Sequence, residues 1–285
     1  MPKLLFVIGM QKSGTSLLNR MLMQQSVIKN PFLPEGKYFW GDNPPFTPID
    51  EPCGRIYQSH KGVHGHYLSE NDFSKDDQTL LIERIQKADV KEPILMNKNP
   101  NNSVRLRWLK NVFPDCKIVS MVRNPIANVY SLMKKHHHSQ LNLNNGEEGW
   151  WGIKPKYWED IICENKTLQC SRQWDSVNKQ ILADFEYVDL IINYDSLCSS
   201  PNEIINGIIK LCGIDHNVDN LPHCKNFNEE YKVGSRIVSK NQELRKSHNF
   251  NLSGLSEIIE FPAFDEAQIN TVREICGKTW SKFLN

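Results

Sequence analysis

A short glycine-containing stretch near the start of the sequence has the residue types and spacing needed to bind an anion. Two glycines, Gly9 and Gly14, flank Lys12, and three hydroxyl residues accompany them: Ser13, Thr15 and Ser16. Glycines let backbone N–H groups approach a phosphate closely, and the lysine adds a positive charge. We therefore expect a phosphate-binding loop here. The alternative is an ordinary turn with a solvated lysine, which this combination of residue types disfavours.

The residues on either side supply the elements that would position this loop. The apolar run Leu4–Ile8 is typical of a buried parallel strand. After Gly14 the sequence has a helical pattern with one apolar face, formed by Leu17, Leu18, Met21 and Leu22. A strand, a glycine-rich turn and a helix in that order point N–H groups and the positive end of the helix dipole at a bound anion.

The spacing within the loop argues against a nucleoside triphosphate. A loop of that kind reads G-x-x-x-x-G-K-[ST]. Here Gly9 and Gly14 have the required separation, but Thr15 stands where the lysine is needed, and Lys12 lies two residues before Gly14. A kinase or hydrolase that binds ATP or GTP is still an alternative. Its best support is Asp195, which follows an apolar run as a magnesium-binding aspartate does.

A second candidate site follows another predicted strand. Residues 117–122 form an apolar strand pattern, and Pro125 suits the first turn of the helix predicted after it. Arg123 stands between the two, at the carboxyl end of the strand, where a guanidinium is suited to bidentate phosphate binding. Ser131 lies two turns into the helix, where it can donate to the same phosphate. The alternative role for Arg123 is a structural ion pair.

Together the two motifs resemble those of the sulfotransferases that use 3′-phosphoadenosine-5′-phosphosulfate (PAPS). The order K-S-G-T-S at 12–16 is similar to the family's 5′-phosphosulfate loop, and R-N-P followed by Ser131 resembles its 3′-phosphate motif. The resemblance extends from the first strand to the helix after Tyr194. It implies an α/β, three-layer P-loop-like fold with a central parallel sheet flanked by helices. The alternation of predicted strands and helices supports that architecture independently.

The resemblance also implies roles for individual residues. Lys12 would neutralise the bridging oxygen as adenosine 3′,5′-bisphosphate (PAP) leaves, and Arg123 and Ser131 would bind the 3′-phosphate. Tyr194 would lie near the adenine. The 5′-phosphate would be bound by the loop, through its N–H groups and through Ser13, Gly14, Thr15 and Ser16. No metal would be required, because the lysine and the loop replace it.

The sequence departs from the family pattern at two places. Leu17 stands where cytosolic members have the tryptophan that stacks on adenine, so the adenine must pack differently. The R-K-G-x-x-G segment that closes over the 3′-phosphate in those members is absent. In its place we expect Arg236, which lies beside Gly234 and Ser235, to approach the 3′-phosphate.

Two interpretations of the general base are open. A carboxylate beside aromatic residues, such as Glu35, can have its pKa raised by desolvation. The segment E-G-K-Y-F that starts at Glu35 resembles the base context of heparan-type and several bacterial members, which implies Glu35 as the base. Their K-T-P segment is similar to K-N-P here, which implies Lys98 as a second cation near the sulfuryl group. The runner-up for the base is a loop histidine: His60, His64 or His66.

We expect the whole chain, residues 1–285, to form a single domain. The loops at 30–75 and 136–160 are the segments expected to form the acceptor site or a lid over it. The aromatic residues of the second loop can form either a lid and acceptor pocket or a separate packing cluster; they are Trp150, Trp151, Tyr157 and Trp158. Further strands are predicted at 93–96 and 187–195, and further helices at 76–88, at 164–183, and from Pro100, Pro201 and Asp265 onward.

Composition narrows the class of protein. The 285 residues carry a net charge of +1, which gives no overall field for nucleic acid or a membrane surface. The eight cysteines include no C-x-x-C pair. No signal-peptide pattern and no apolar run of about 20 residues is present, so we expect a cytoplasmic protein. Its partner would be a small-molecule or sugar acceptor with a hydroxyl or amine, and a non-catalytic nucleotide-binding protein is the third hypothesis.

Overall fold

The computed structural model describes residues 1–32, 36–40, 65–141, 149–218, 221 and 263–284. The residues of the candidate site that lie outside this part of the chain are Glu35, His60, His64 and Arg236. Their roles therefore stay predictions, as does the single domain over residues 1–285.

Within the described residues, the centre of the fold is a parallel sheet with the strand order β2-β3-β1-β4-β5. The strands are β1 (Lys3–Gly9), β2 (Ile28–Lys29), β3 (Ile94–Lys98), β4 (Lys117–Val122) and β5 (Leu190–Asn193). The central strand β1 pairs with β3 on one side, where Val7 is opposite Lys98, and with β4 on the other, where Gly9 is opposite Met121. The carboxyl ends of these strands meet at one edge, so the loops that follow them can share a site.

Helices cover both faces of the sheet. They are α1 (Thr15–Met23), α2 (Lys37–Trp40), α3 (Lys75–Lys87), α4 (Leu106–Val112), α5 (Pro125–Leu141), α6 (Lys166–Ala183), α7 (Tyr194–Ser199), α8 (Pro201–Leu211) and α9 (Glu266–Ser281). Short 3-10 helices occur at Glu70–Asp72, Pro100–Val104, Trp158–Ile161 and Phe185–Tyr187. None of the helices that the structure describes is both long enough and apolar enough to cross a lipid bilayer.

Alternate side chains of β1 belong to two separate cores. Leu5 and Val7 pack with α1, α7 and α8 on one face of the sheet. Leu4, Phe6 and Ile8 pack with α3 to α6 and α9 on the other face. Because both faces are covered, positions 4–8 of the strand are all apolar, which is the pattern that predicts a buried parallel strand. The predicted three-layer α/β fold with a central parallel sheet is confirmed.

Two predicted elements have the predicted bounds. Strand β4 covers residues 117–122. Helix α9 begins after Asp265, whose carboxylate accepts a hydrogen bond from the Gln268 N–H at 2.8 Å, while the Gln268 side-chain oxygen accepts one from the Asp265 N–H at 3.0 Å. These reciprocal bonds form a capping box and satisfy two N–H groups that the helix itself cannot bond.

Two strands differ from the prediction at their carboxyl ends. β3 continues beyond residue 96 to Lys98, because its ladder with β1 extends to the pairing with Val7. The predicted strand at 187–195 is observed only at 190–193. A 3-10 helix at Phe185–Tyr187 precedes it, and Asn193 Oδ1 accepts a hydrogen bond from the Asp195 N–H at 2.9 Å and starts helix α7. Asp195 therefore lies in the first turn of a helix rather than at the end of a strand.

Asp189 joins the start of β5 to the start of β4. Its carboxylate accepts hydrogen bonds from the Ile118 N–H at 2.9 Å and from Lys117 Nζ at 2.8 Å, and Lys110 Nζ lies 3.3 Å away. Burial raises the pKa of this carboxyl, but the hydrogen bonds from Lys117 and the Ile118 N–H, with the charge of Lys110, outweigh it, so the pKa is lower than usual. The contact sets the register between two strands that end at candidate site residues.

We expect Asp189→Asn to lower the melting temperature at neutral pH and to matter less in acid. A carboxyl with a lowered folded pKa stabilises the fold above its unfolded pKa of about 3.9, and this contribution is lost as the pH falls through the folded value. Thermal melts across this range should show the gap between wild type and variant closing in acid. The control is Asp89→Asn, since Asp89 is exposed and pairs only with the exposed Lys91 among the described residues. A gap that persists in acid contradicts the prediction.

Candidate functional site

The loop between β1 and α1 has a backbone that its glycines make possible. Gly9, Lys12 and Gly14 all have positive φ angles, of 133°, 69° and 109°. A Cβ on Gly9 would collide with the Met121 carbonyl oxygen of β4, and a Cβ on Gly14 would lie 2.6 Å from Cδ2 of Tyr194. Both glycines are therefore required by backbone conformation and by close packing against β4 and α7.

Helix α1 presents unbonded N–H groups to this loop. It starts at Thr15 after Gly14, and no described side chain caps it. Of the three loop hydroxyls, those of Ser13 and Thr15 are buried and that of Ser16 is exposed. Ser13 Oγ lies beneath the loop, 3.0 Å from the position that a Gly9 Cβ would occupy. Ser16 is therefore the exposed hydroxyl residue of this loop, and the role of the buried Ser13 hydroxyl stays a prediction.

Arg123 connects the end of β4 to the loop and to α5. Its Nη1 donates a hydrogen bond to the Lys12 carbonyl oxygen at 3.1 Å and another to Ser131 Oγ at 3.4 Å. Its guanidinium lies over the ring of Tyr194, 4.4 Å from the ring centroid. The structure thus brings together Lys12, Arg123, Ser131 and Tyr194, which are separated by up to 182 positions in the sequence (194 − 12). The guanidinium is held by three partners on three elements, so its orientation is fixed in advance.

Lys98 supplies a second amine beside the helix N-terminus. It is the last residue of β3 and is almost fully buried, and its Nζ donates a hydrogen bond to Ser16 Oγ at 3.2 Å. The side chain of Lys12, on the loop between β1 and α1, is exposed. Lys98 therefore reaches the first turn of α1 from β3, while Lys12 belongs to the loop directly before α1. The two charges make this edge of the sheet locally positive.

Asn97 is a buried residue of the site that the sequence analysis missed. Its Nδ2 donates to the Gly36 carbonyl oxygen at 3.3 Å, and its Oδ1 accepts from Trp40 Nε1 at 3.3 Å. Gly36 has φ 70°, and a Cβ there would collide with the Asn97 amide. Asn97 thus fixes the backbone next to Glu35. The available signal was its place directly before Lys98 in a run of polar residues after an apolar strand.

Two further side chains hold the loop from outside and were also missed. Ser103 Oγ accepts a hydrogen bond from the Gly9 N–H at 2.9 Å, and Asn128 Nδ2 donates to the Gln11 carbonyl oxygen at 2.9 Å. Both side chains are fully buried. Asn128 lies between Arg123 and Ser131 in the second motif, so its position was visible in the sequence but its partner was not.

Residues 149–154, here called the strap, lie against the loop that carries Lys12. Trp150 is buried and packs edge-on against Trp158, with ring centroids 5.3 Å apart. Trp151 is half-buried, and its ring centroid lies 5.6 Å from Lys12 Nζ. The two interpretations of this aromatic segment therefore apply to different residues: Trp150 and Trp158 form a packing cluster, whereas Trp151 borders the site.

His66 forms two hydrogen bonds with Lys154 of the strap, one through its backbone N–H and one through Nδ1 of its ring. Its N–H donates to the Lys154 carbonyl oxygen at 2.8 Å, and its Nδ1 accepts a hydrogen bond from the Lys154 N–H at 2.8 Å. The ring is almost fully buried. Because Nδ1 accepts a hydrogen bond, the neutral imidazole carries its proton on Nε2. This histidine therefore has a structural role in the described part of the chain.

The chain matches the model of the sulfotransferase family over residues 2–218. Since the match covers most of the sequence, the protein belongs to the sulfotransferase family. The resemblance that the two motifs indicate is thereby confirmed. No curated protein matches the chain.

Solved sulfotransferases have similar structures. STF9 from Mycobacterium avium is 13% identical and has a TM-score of 0.54, covering 99% of this chain and 76% of that one. A sulfotransferase from Alicyclobacillus acidocaldarius is 15% identical, with a TM-score of 0.46 and coverage of 97% and 96%. STF1 from Mycobacterium tuberculosis H37Rv is 15% identical, with a TM-score of 0.42 and coverage of 75% and 68%. At these identities, the similarity to STF9 supports the fold alone.

We expect Gly14→Ala to destabilise the fold by about 1 to 3 kcal/mol, because a side chain at this positive φ is strained and meets the ring of Tyr194. Urea unfolding measures the change. Gly207→Ala is the matched control: Gly207 lies in α8 with nothing within 4 Å of its added Cβ, so alanine should stabilise the helix by up to about 1 kcal/mol. Equal effects of the two substitutions would show that the loop tolerates a side chain.

Proposed function

We propose that the protein transfers a sulfuryl group from PAPS to a hydroxyl or amine of a small-molecule or sugar acceptor. The observation that carries this proposal is the convergence of Arg123, Ser131 and Tyr194 on the Lys12 end of the loop. A guanidinium held in this way suits a second phosphate, which PAPS has on its 3′ oxygen and ATP lacks. Membership of the sulfotransferase family supports the same activity.

The residues of the loop fit the donor's phosphate groups. The uncapped N-terminus of α1 and the exposed Ser16 hydroxyl suit the 5′-phosphate, and the absent Cβ atoms of Gly9 and Gly14 allow close backbone approach. Arg123 and Ser131 suit the 3′-phosphate. Tyr194 and Leu17 would border the adenine, and Arg236 would close over the 3′-phosphate from a part of the chain that the structure does not describe.

Electrostatic stabilisation is the main contribution that we propose for the lysines. PAPS supplies an activated sulfuryl group and a leaving group that gains negative charge as the bond breaks. Lys12 would neutralise that charge, and Lys98, oriented by its hydrogen bond to Ser16, would hold the sulfuryl oxygens. Together with the N-terminus of α1 they provide a fixed positive field at the reacting atoms, which needs no rearrangement during transfer.

We propose Glu35 as the general base that removes the acceptor's proton. Its neighbour Gly36 is hydrogen-bonded to Asn97, which lies directly before Lys98, so the base segment and the second cation share one anchor. His66 is a weaker candidate because its Nδ1 already accepts a hydrogen bond from Lys154. His60 and His64 are the runner-up bases.

Two observations weigh against a nucleoside triphosphate kinase or hydrolase. Thr15 stands at the position of the required lysine. Asp195 lies in the first turn of α7, with its N–H bonded to Asn193, and not at a strand end where a magnesium-binding aspartate is expected. The non-catalytic alternative is separated from the proposal by the activity measurement below.

We expect the protein to bind PAP at least about tenfold more tightly than ADP or ATP without magnesium, because a charge-assisted hydrogen bond contributes about 1.5 to 3 kcal/mol. Calorimetric titration tests this. Arg123→Ala should remove the preference for the 3′-phosphate. Arg107→Ala is the control, since Arg107 lies on α4 and pairs with Asp184. Equal or tighter binding of ATP, especially with magnesium, would contradict the proposal and favour a kinase.

We expect Lys12→Ala to reduce kcat by about 100- to 1,000-fold while the melting temperature is retained, because its side chain is exposed and acts on developing charge. Glu35→Gln should also abolish most turnover, since an amide cannot accept the proton. PAP release with a panel of hydroxyl and amine acceptors measures both. Lys87→Ala, on the exposed face of α3, should be fully active. A wild type that is inactive with every acceptor would favour a non-catalytic nucleotide-binding protein.

A further inference from the structure

We propose that Trp151 is a positioning residue for Lys12, so that the strap helps to aim the amine that acts on the leaving group. This inference rests on the proposed sulfuryl transfer. The ring centroid of Trp151 lies 5.6 Å from Lys12 Nζ, within the range of a cation–π interaction. The indole of Trp151 is half-buried, so one part of it is held by the protein while another part meets the exposed lysine side chain.

The loop fixes the backbone of Lys12, whereas the contact with Trp151 acts on its side chain. Its carbonyl oxygen accepts a hydrogen bond from Arg123 at 3.1 Å, and the next residue, Ser13, donates its N–H to the Met10 carbonyl oxygen at 3.1 Å. The side chain of Lys12 is exposed and has a four-carbon stem, so a contact at its amine restricts where the charge lies. An amine stabilises a developing negative charge only while it lies beside that charge, so conformations that place the amine elsewhere lower the rate. An aromatic face restricts it without neutralising its charge.

The strap is rigid enough to serve as this support. Gln173 Nε2 donates hydrogen bonds to the carbonyl oxygens of Trp151 and Ile153, each at 3.0 Å. Gln169 Nε2 donates to the Gly149 carbonyl oxygen at 2.7 Å. Both glutamines are fully buried on α6. The backbone on each side of the Trp151 ring is therefore fixed to a long helix of the core.

The strap also docks directly on the residue before Lys12. Gln11 Nε2 lies 3.4 Å from the Trp151 carbonyl oxygen. Gly152 has φ 93°, and a Cβ there would collide with the Gln11 amide. Asn128 holds Gln11 from the other side. Trp151 and Lys12 thus project from two backbone segments that are in mutual contact, so their separation depends on packing rather than on chance proximity of two surface side chains.

A second lysine at the same ring provides a matched control. Lys135 Nζ, from α5, lies 5.7 Å from the Trp151 centroid, almost the same distance as Lys12 Nζ. Lys135 lies outside the two motifs, and we assign it no part in the reaction. Replacing Trp151 should alter the surroundings of both amines. Only the loss of its contact with Lys12 should lower kcat.

The test compares Trp151→Leu, Trp151→Phe and Lys135→Met with the wild type in steady-state assays. We expect Trp151→Leu to lower kcat by about 3- to 30-fold with an unchanged KM for the acceptor and an unchanged Kd for PAP, because the contact aims a cation. Trp151→Phe keeps an aromatic face and should retain most of kcat, and Lys135→Met should match the wild type. In a Lys12→Met background, Trp151→Leu should have no further effect, since the interaction is already lost.

A spectroscopic readout tests the contact without turnover. Lysines carrying 13C-labelled dimethyl groups give NMR signals, and that of Lys12 is assigned by its loss in Lys12→Met. Ring current from Trp151 should shift it, and Trp151→Leu should return it to the position of an exposed lysine. An unshifted signal in the wild type overturns the proposal, and the spectrum and a thermal melt also report whether Trp151→Leu is folded.

The outcomes separate this inference from the proposed function. A wild type that transfers no sulfuryl group from PAPS overturns the proposed function itself. An active wild type with an equally active Trp151→Leu overturns only the role of Trp151. A raised KM for the acceptor with an unchanged kcat also overturns it and assigns Trp151 to the acceptor pocket instead. A loss of kcat that persists in the Lys12→Met background shows that Trp151 acts independently of Lys12.

Discussion

The loop between β1 and α1 packs so closely against β4 and α7 that neither Gly9 nor Gly14 has room for a side chain. This close packing determines the geometry of the site, because it brings the backbone of the loop to the end of β4 and to the ring of Tyr194. Arg123 can then bond the loop carbonyl and lie over that ring at the same time. A wider loop would separate the helix N-terminus from the guanidinium, and the two would no longer face one ligand.

Neutral amide and hydroxyl side chains hold this arrangement in place. Asn97, Ser103 and Asn128 are fully buried, and each bonds a backbone group of the loop or of the segment beside Glu35. A buried polar group is costly unless it is bonded, so each of these hydrogen bonds offsets part of the cost of burying its side chain and selects one backbone position. Because these side chains carry no charge, they hold the backbone in place without changing the charge that the lysines and the arginine present to an anion.

The positive character of the site is local. The net charge of the chain is only +1, yet Lys12, Lys98 and Arg123 all belong to or contact one segment, the loop before α1 and its first turn. Each cation contacts a different partner: Arg123 a carbonyl and an aromatic ring, Lys98 a hydroxyl, and Lys12 the ring of Trp151. Distributing the cations over three elements keeps them close to a ligand while each retains its own support, which suits binding of a donor with two phosphate groups.

The elements of the fold, and the residues whose chemistry depends on local spacing, could be predicted from the amino-acid sequence. The apolar run of β1, the glycine loop and the arginine after β4 could be predicted, because strand, turn and helix patterns are set by neighbours along the chain. The contacts between residues far apart in the sequence could not be predicted in this way, because they form only when the chain folds. Asn97 lies 61 positions from Gly36, and Trp151 about 140 positions from the loop, so no local pattern connects them. The early end of β5 has a local cause instead, since Asn193 caps the next helix through the Asp195 N–H two residues on. Trp150 and Trp151, adjacent in sequence, have different surroundings because packing depends on contacts that exist only in the folded chain.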